Sequence, residues 1–271
     1  MSVRQALKFC PIASGSDGNS VYIGSDNTHI LIDAGISGKR IQDGLLNGAG
    51  TNAEALDCIF LTHEHTDHIQ SAGVLSRRYG TSLCATEKTW SYIERHNLLG
   101  KIEKDKKHTI KVGEKFMVKD ISVEAFDIPH DAAGPVGYCV YIGDKKVAVA
   151  TDLGCVTDNI REKLFGADIV LIESNHDLEM LKNGRYPDML KRRIMGERGH
   201  LSNRGAGELI AEIISTRLKH VFLGHLSAEN NMPIVAMETV MSILEANRIK
   251  VGKDLDLRLA QRGAPSGSLI L

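Results

Sequence analysis

The segment Thr62-His63-Glu64-His65-Thr66-Asp67-His68 places four metal-ligating side chains, His63, His65, Asp67 and His68, within six residues, directly after the apolar run Cys58-Ile59-Phe60-Leu61. No other stretch restricts the fold and chemistry of the chain so tightly. Imidazole and carboxylate are the groups that hold zinc, manganese or iron in open, water-accessible sites. The spacing excludes the helical His-Glu-x-x-His arrangement, whose two histidines sit at i and i+4. Here His63 and His65 are two residues apart, and Asp67 stands where the second helical histidine would be. Alternate residues of an extended segment project the same way, so His63 and His65 can converge on one ion from a loop leaving a strand. Asp67 and His68 are then free to serve a second ion.

The 271 residues are read as one domain, 1–271, of the α/β class, with an ordinary soluble-protein balance of 42% hydrophobic and 25% charged residues. A net charge of −1 gives no global attraction to nucleic acid or anionic lipid, so any affinity for a polyanion must come from a local patch. Five cysteines, Cys10, Cys58, Cys84, Cys139 and Cys155, are dispersed with no C-x-x-C pair, which argues against a disulfide framework and for small buried hydrophobes. The start, Met1-Ser2-Val3-Arg4-Gln5, has no long apolar run, and no segment approaches the ~20 apolar residues of a membrane span. A cytoplasmic address without membrane contact is the expectation.

Short β-branched runs alternate with helical patterns. Strands are predicted over 7–12, 21–24, 29–33 and 58–61, and helices over 37–46, 70–79 and 88–97. Residues 101–111 read as a solvated mixed-charge loop. A denser β region follows at 116–126, 137–142 and 145–150, ending in Thr151-Asp152, a carboxylate at a strand's C-terminal end where α/β folds collect functional groups. A strand over 169–172 ends at Glu173-Ser174-Asn175-His176. Ser202-Asn203 cap a helix carrying Leu209, Ile210, Ile213, Ile214 and Leu218, a strand over 220–223 delivers Gly224-His225, and 234–246 forms a last helix. Asp33, His130, Asp152, His176, His200 and His225 all fall at strand ends or turns, where a rigid scaffold could aim them at one spot. His29, His96, His108 and His220 read as ordinary core or surface histidines.

His-x-His-x-Asp-His after an apolar strand, the upstream Leu31-Ile32-Asp33-Ala34-Gly35, the mid-chain Thr151-Asp152 and the late Gly224-His225 together resemble the metallo-β-lactamase fold superfamily. The resemblance covers essentially the whole chain. It implies a four-layer αββα sandwich holding two divalent transition-metal ions (Zn, Mn or Fe), with a bridging hydroxide as nucleophile. His63, His65 and a third histidine would hold one ion, and Asp67, His68 and His225 the other, with Asp152 between them. His130, in Pro129-His130-Asp131-Ala132, is the positional match for the third histidine, although its setting departs from the usual Gly-His-x-x-Gly turn. Asp33 would brace the His loop.

A closer resemblance, to the YycJ/WalJ subfamily, rests on Ala13-Ser14-Gly15-Ser16-Asp17-Gly18-Asn19-Ser20, Pro129-His130-Asp131-Ala132, Glu173-Ser174-Asn175-His176-Asp177, Tyr186-Pro187, Gly199-His200-Leu201-Ser202-Asn203 and Gly224-His225-Leu226-Ser227-Ala228-Glu229-Asn230-Asn231. It implies a cytoplasmic metallo-hydrolase with DNA exonuclease activity. Only 47 residues, 153–199, separate Asp152 from His200, too few for the inserted domain of the β-CASP nucleases. No flexible arm of the tRNA 3′-processing type is evident.

Residues 182–204 carry seven cations, Lys182, Arg185, Lys191, Arg192, Arg193, Arg198 and Arg204, against the two anions Asp188 and Glu197. Such a set binds phosphate backbones, and it leads to His200; its ordinary alternative is a solvated helix face. His200 resembles the histidine that protonates the leaving oxygen in tRNA-processing relatives, a task suited to a pKa near ~6.5. Asp67 and His200 are thus the expected catalytic residues, and Asn175, His176, Arg192, Arg193 and Arg198 the expected substrate-side residues, with His176 either supporting the ligands or facing substrate. The glycine-rich 14–20 loop suits either phosphate approach or a tight turn. The leading expectation is a dinuclear phosphodiesterase acting on nucleic acid, DNA in the first instance. The alternatives are a hydrolase of small esters, thioesters or lactones on the same core and, less in keeping with an intact ligand set, a metal-holding interaction protein.

Overall fold

The computed structural model describes residues 6–271; residues 1–5, where no apolar run was noted, lie outside the described residues. Two seven-stranded sheets face each other. The first consists of β1 (Lys8–Ala13), β2 (Ser20–Gly24), β3 (His29–Ile32), β4 (Cys58–Phe60), β5 (Ser82–Thr86), β6 (Lys107–Ile110) and the distant β14 (Leu269–Ile270), in the order β14-β1-β2-β3-β4-β5-β6. The second consists of β7 (Lys115–Val118), β8 (Ile121–Asp127), β9 (Val136–Ile142), β10 (Lys145–Ala150), β11 (Ile169–Glu173), β12 (His220–Gly224) and β13 (Asp256–Leu259), in the order β13-β12-β11-β10-β9-β8-β7.

Alternation along the strands explains the layering. Ile30, Ile32, Phe60, Val147, Val149 and Phe222 enter the core between the sheets. Their neighbours Leu31 and Ile59 turn to the outer face of the first sheet, and Ala148 and Val221 to that of the second. Central strands such as β4 and β11 are buried on both sides, which is why their sequences read as continuous apolar runs. Full burial of each such large side chain contributes about 1.5–3 kcal/mol.

Helices α1 (Gly38–Gly44), α2 (Thr66–Ile69), α3 (Ala72–Tyr79) and α4 (Glu87–Arg95) belong to the first half, with Ile41, Leu75, Trp90 and Ile93 packed on its outer face. Helices α5 (Asp158–Leu164), α8 (Asn203–Ile213) and α9 (Pro233–Ala246) cover the second sheet through Ile160, Leu209, Ile210, Val240 and Leu244. The result is an αββα sandwich. Two further helices, α6 (Leu178–Asn183) and α7 (Asp188–Ile194), lie in the excursion between β11 and α8.

The expected loop at 101–111 is corrected by β6, which pairs in parallel with β5 from Leu83↔Lys107 to Thr86↔Ile110. Ile110 is buried, the Trp90 indole donates to the His108 carbonyl at 2.9 Å, and Lys107 lies over the Trp90 ring and pairs with Glu94. The edge position lets the charged side chains remain in solvent while the backbone completes the sheet. The helix expected at 37–46 ends at Gly44 and continues as a widened turn, Leu45–Ala49, closed by Gly50 at φ 66°.

Strand direction decides where the functional residues emerge. β10, β11 and β12 are parallel neighbours, as are β3 and β4. Their C-terminal ends deliver Asp152, Glu173, His225, Asp33 and the His63 loop. Asp33, Asp152 and His225 have φ of 63°, 60° and 54°, a left-handed conformation that costs a non-glycine residue about 1–3 kcal/mol and clusters at functional sites.

Gly35 permits the close approach of the Asp33 loop to the His loop: a Cβ there would lie 1.6 Å from the Asp67 carbonyl oxygen and 2.7 Å from the His68 nitrogen. Gly35→Ala is therefore expected to cost at least about 1–3 kcal/mol, as overpacking does, and to lower metal content. Thermal unfolding and elemental analysis check this; an unchanged melting temperature with full metal content would contradict the packing argument.

Candidate metal centre

The His loop is held before any ion enters. Asp33 Oδ1 accepts from the Thr62 amide at 2.8 Å, and Asp33 Oδ2 from the Thr62 hydroxyl at 2.9 Å. Asp33 Oδ2 also lies 2.7 Å from His68 Nδ1. Thr62 Oγ1 is 3.0 Å from His63 Nδ1. Fixing Nδ1 on both rings leaves Nε2 of His63 and of His68 as the donor atoms. His63 Nε2 lies 2.9 Å from His65 Nδ1, and both lie with a His130 nitrogen inside a group whose atoms are all within 4.8 Å of one another. Glu64, buried, carries the other side: its Oε1 accepts from the Ala133 amide at 2.7 Å, tying the His130 loop to the His cluster. His130 Nδ1 is 3.2 Å from the Gly199 carbonyl, so it donates there and its Nε2 is left free.

A second group joins Asp67, His68 and His225, again with one donor atom each within 4.8 Å. Asp67 Oδ2 is 3.4 Å from His68 Nε2 and 3.7 Å from His225 Nε2. Asp152 stands between the groups: its Oδ2 is 3.2 Å from His68 Nε2 and its Oδ1 3.7 Å from His130 Nε2. All seven expected ligands thus converge. His130 Nε2, Asp152 Oδ2 and His225 Nε2 are buried without any hydrogen-bond partner. Leaving such atoms unmatched costs about 1–3 kcal/mol each, more when charged, and one common property unites them: each is a lone-pair donor facing the same space. The donor set fits divalent metal.

The buried donors shift one another's ionisation. Burial opposes protonation of His68, but Asp152, Asp33 and Asp67 hold its pKa well above the ordinary imidazole value. Burial likewise opposes charge on His225, and Asp152, Asp67 and Glu173 raise it to about 10. Burial works against ionisation of Asp67 and Asp152 too, and is overcome at both by His68 and His225, which hold the two carboxyls below their ordinary range. For His63, burial and the charge of His68 depress the pKa well below the usual range.

Glu173 is the residue that sequence reasoning passed over. Fully buried, it receives His200 Nδ1 at 2.9 Å and His225 Nδ1 at 2.6 Å on Oε1. Its Oε2 accepts from the amides of Leu153 at 2.6 Å and Leu201 at 3.0 Å. Burial raises its pKa, but His200 and His225 outweigh that and bring it down to about 2. A second possible donor group, Asp152, Glu173, His200 and His225, exists, yet Glu173 has both oxygens engaged by N–H donors and acts as a brace. The available signal was an acid ending the otherwise apolar run Ile169-Val170-Leu171-Ile172.

Other expected residues are placed as follows. His200 is half-buried beside the donors, its ring centroid 5.2 Å from that of His130 and 5.3 Å from that of His225. Asn175 is buried and donates through Nδ2 to the His225 carbonyl at 2.9 Å. His176 is also buried, with Nδ1 unpartnered and its pKa lowered by burial to about 4, and it joins none of the donor groups. Its carbonyl accepts from the Asn203 amide at 2.9 Å. Arg193 Nε pairs with Asp131 Oδ2 at 2.5 Å and Arg198 Nε donates to the His130 carbonyl at 3.2 Å, so both tie the α7 segment to the His130 loop. Lys182 and Arg204 pair with Glu179 and Glu208, and Lys191 donates to the Lys182 carbonyl. Arg185 and Arg192 are exposed and their side chains have no protein partner among the described residues. The 14–20 loop braces the site: Ser14 Oγ accepts from the His225 amide at 2.9 Å, and the Asn19 amide donates to the Asp67 carbonyl at 2.8 Å. His29, His108 and His220 bond Tyr22, Ser82 and Asp256, and His96 stacks on Tyr92, away from the donor groups.

A family profile described as "Beta-lactamase superfamily domain" matches residues 28–226. The chain belongs to that superfamily. Within it, the chain is 41% identical over 251 residues to the Exodeoxyribonuclease YycJ of Bacillus anthracis, covering 93% of this chain and 94% of that protein. It is 42% identical over 248 residues to the Exodeoxyribonuclease WalJ of Streptococcus pneumoniae, covering 92% of each. YhfI of Bacillus subtilis, a metallo-β-lactamase fold protein, shares the architecture with a TM-score of 0.72 at 15% identity, over 96% of this chain and 98% of that one. The chain is a metal-dependent hydrolase of the YycJ/WalJ type, and none of its described helices is long and apolar enough to cross a membrane.

Two outcomes follow. Because neighbouring carboxylates raise the pKa of both His68 and His225, and both must be neutral to ligate, metal uptake is expected to release protons and to tighten as pH rises. Calorimetric titration in buffers of different ionisation enthalpy measures this; uptake without proton release would contradict the charge assignment. Glu173→Gln, which keeps shape but removes the charge on His225 and His200, is expected to weaken metal binding about 10–100-fold. Undiminished affinity would show that Glu173 only fills space.

Proposed function

We propose that this chain is a DNA exonuclease working with two divalent transition-metal ions drawn from zinc, manganese and iron. His63, His65 and His130 would hold one ion, Asp67, His68 and His225 the other, and Asp152 would lie between. Two ions so held would lower the pKa of a bound water and offset charge on the reacting oxygens. The substrate assignment comes from the YycJ and WalJ relatives, whose match extends over more than nine-tenths of both partners. Donors from loops of both sheets meet at one place, so the whole chain serves as one catalytic unit.

The observation that carries the mechanism is His200 at the rim of the donor set, braced from below by Glu173. Burial disfavours its charge, but Glu173 and Asp152 raise its pKa above the ordinary value. That shift favours the protonated ring, whose Nδ1–H is committed to Glu173 Oε1 and whose Nε2–H would be available to a leaving alkoxide. General acid catalysis of this kind contributes about 10²–10⁴-fold. Asp67 carries a share of the ion-holding charge, and Asn175 sits on the substrate side of the site. Of the cations expected to touch phosphate, Arg192 is joined by Arg185 as the unpaired members; Arg193 and Arg198 position the segment.

Digestion of end-labelled duplex DNA by metal-reconstituted protein tests the function. His200→Ala is expected to retain metal and lose about 10²–10⁴-fold in turnover, while Asp67→Ala loses turnover with the fold intact. Metal loss in His200→Ala would make it a ligand instead. Replacing Arg185 and Arg192 by Gln is expected to weaken DNA binding irrespective of sequence and to flatten the salt slope by roughly 0.9 per lost phosphate contact. A salt-independent rate in the unaltered protein would favour a small-ester hydrolase.

A further inference from the structure

Beside His200, on the side of α7, lies a cavity of about 180 Å³. One wall is apolar, formed by Tyr186, Leu190 and Ile194, all partly exposed at its surface. The lining also includes Asn175, Ser16, Ser227, Gly199 and His200, the last beside the donors His130 and His225. Asn175 is 4% exposed, and its Nδ2 is committed to the His225 carbonyl, while its Oδ1 has no partner among the described residues. Arg193, also in the lining, is neutralised by Asp131.

These groups do not form a phosphate site. An amide oxygen with no donor on it is an acceptor and repels an anion, and the one guanidinium present already has a carboxylate on it. Hydroxyls and an amide acceptor opposite an aromatic and two aliphatic side chains instead match an uncharged unit with hydrogen-bonding edges and an apolar face. The volume lies below the roughly 300–1,000 Å³ typical of drug-sized ligands, which limits the occupant to a single small unit. Since His200 borders both the cavity and the metal donors, a group in the cavity is joined to the phosphate on the side where His200 delivers its proton.

We propose that this cavity receives the sugar and base of the single nucleoside on the leaving-oxygen side of the scissile phosphate, with Asn175 and Ser227 reading its polar edge and Tyr186 and Leu190 packing on its face. This rests on the nuclease reading. A pocket that holds one nucleoside against α7 favours action at chain ends.

The test uses thymidine, which has no phosphate and no affinity for a metal pair through one, as the probe. Calorimetry on the metal-loaded protein is expected to show thymidine binding to the unaltered chain and none to Leu190→Trp, which fills the cavity; Leu190→Met, of similar volume, restores it. On end-labelled duplex DNA, Leu190→Trp is expected to raise KM, and Tyr186→Ala to raise it at least about fivefold through lost stacking, with metal content and melting temperature unchanged. Thymidine binding that survives Leu190→Trp, or no binding by the unaltered chain, overturns the proposal. Failure of the unaltered protein to degrade any DNA would sink the nuclease reading instead, and the calorimetry would still decide what the cavity holds.

Discussion

Burying ionisable groups together is the constraint on which the rest of this structure depends. Asp33, His63, His68, His130, Asp152, Glu173 and His225 are all nearly inaccessible to water, at one end of a sandwich whose interior is otherwise mainly apolar. Isolated charges in such a place carry a prohibitive desolvation cost. The protein meets it by giving each group a second partner: Asp33 for His68, Thr62 for His63, the Gly199 carbonyl for His130, Glu173 for His225 and His200. What remains unmatched is a set of inward-facing nitrogen and oxygen atoms suited to a divalent cation.

The fold supplies the rigidity this arrangement needs. Donors come from the C-terminal ends of strands fixed on both faces by packing, and from backbone in strained left-handed conformations at Asp33, Asp152 and His225. Such strain persists only where surrounding structure over-determines it. Here the determinants are the ladder on one side and the hydrogen bonds of Ser14, Asn19 and Glu64 on the other. Most of the groups proposed to face substrate lie on the more exposed α7 excursion.

Much of the site was legible in the sequence because ligands follow strands in short motifs. His63, His65, Asp67 and His68 announce themselves by spacing, and Asp152 and His225 by ending apolar runs. His130 was one of several candidates at strand ends and turns, and the resemblance singled it out as the third histidine although its local setting is atypical. Glu173 was not legible as a brace: its partners His200 and His225 lie 27 and 52 residues away, and a lone acid has no spacing signature. The basic segment shows the same limit. Charge counting registers Arg193 as a free cation, whereas Asp131, 62 residues distant, neutralises it. In the fold, β6 was hidden by lysines whose side chains stay in solvent while the backbone pairs with β5, a pairing that no local pattern reveals.

The central claim, that the two donor groups hold a metal pair, is tested most directly by anomalous diffraction from crystals of the metal-loaded protein, recorded at the metal's absorption edge. The account predicts two peaks about 3.5–4 Å apart, one among His63, His65 and His130, the other among Asp67, His68 and His225, with Asp152 between them. A lone peak on Glu173 and His200, or none at the His loop, would contradict it.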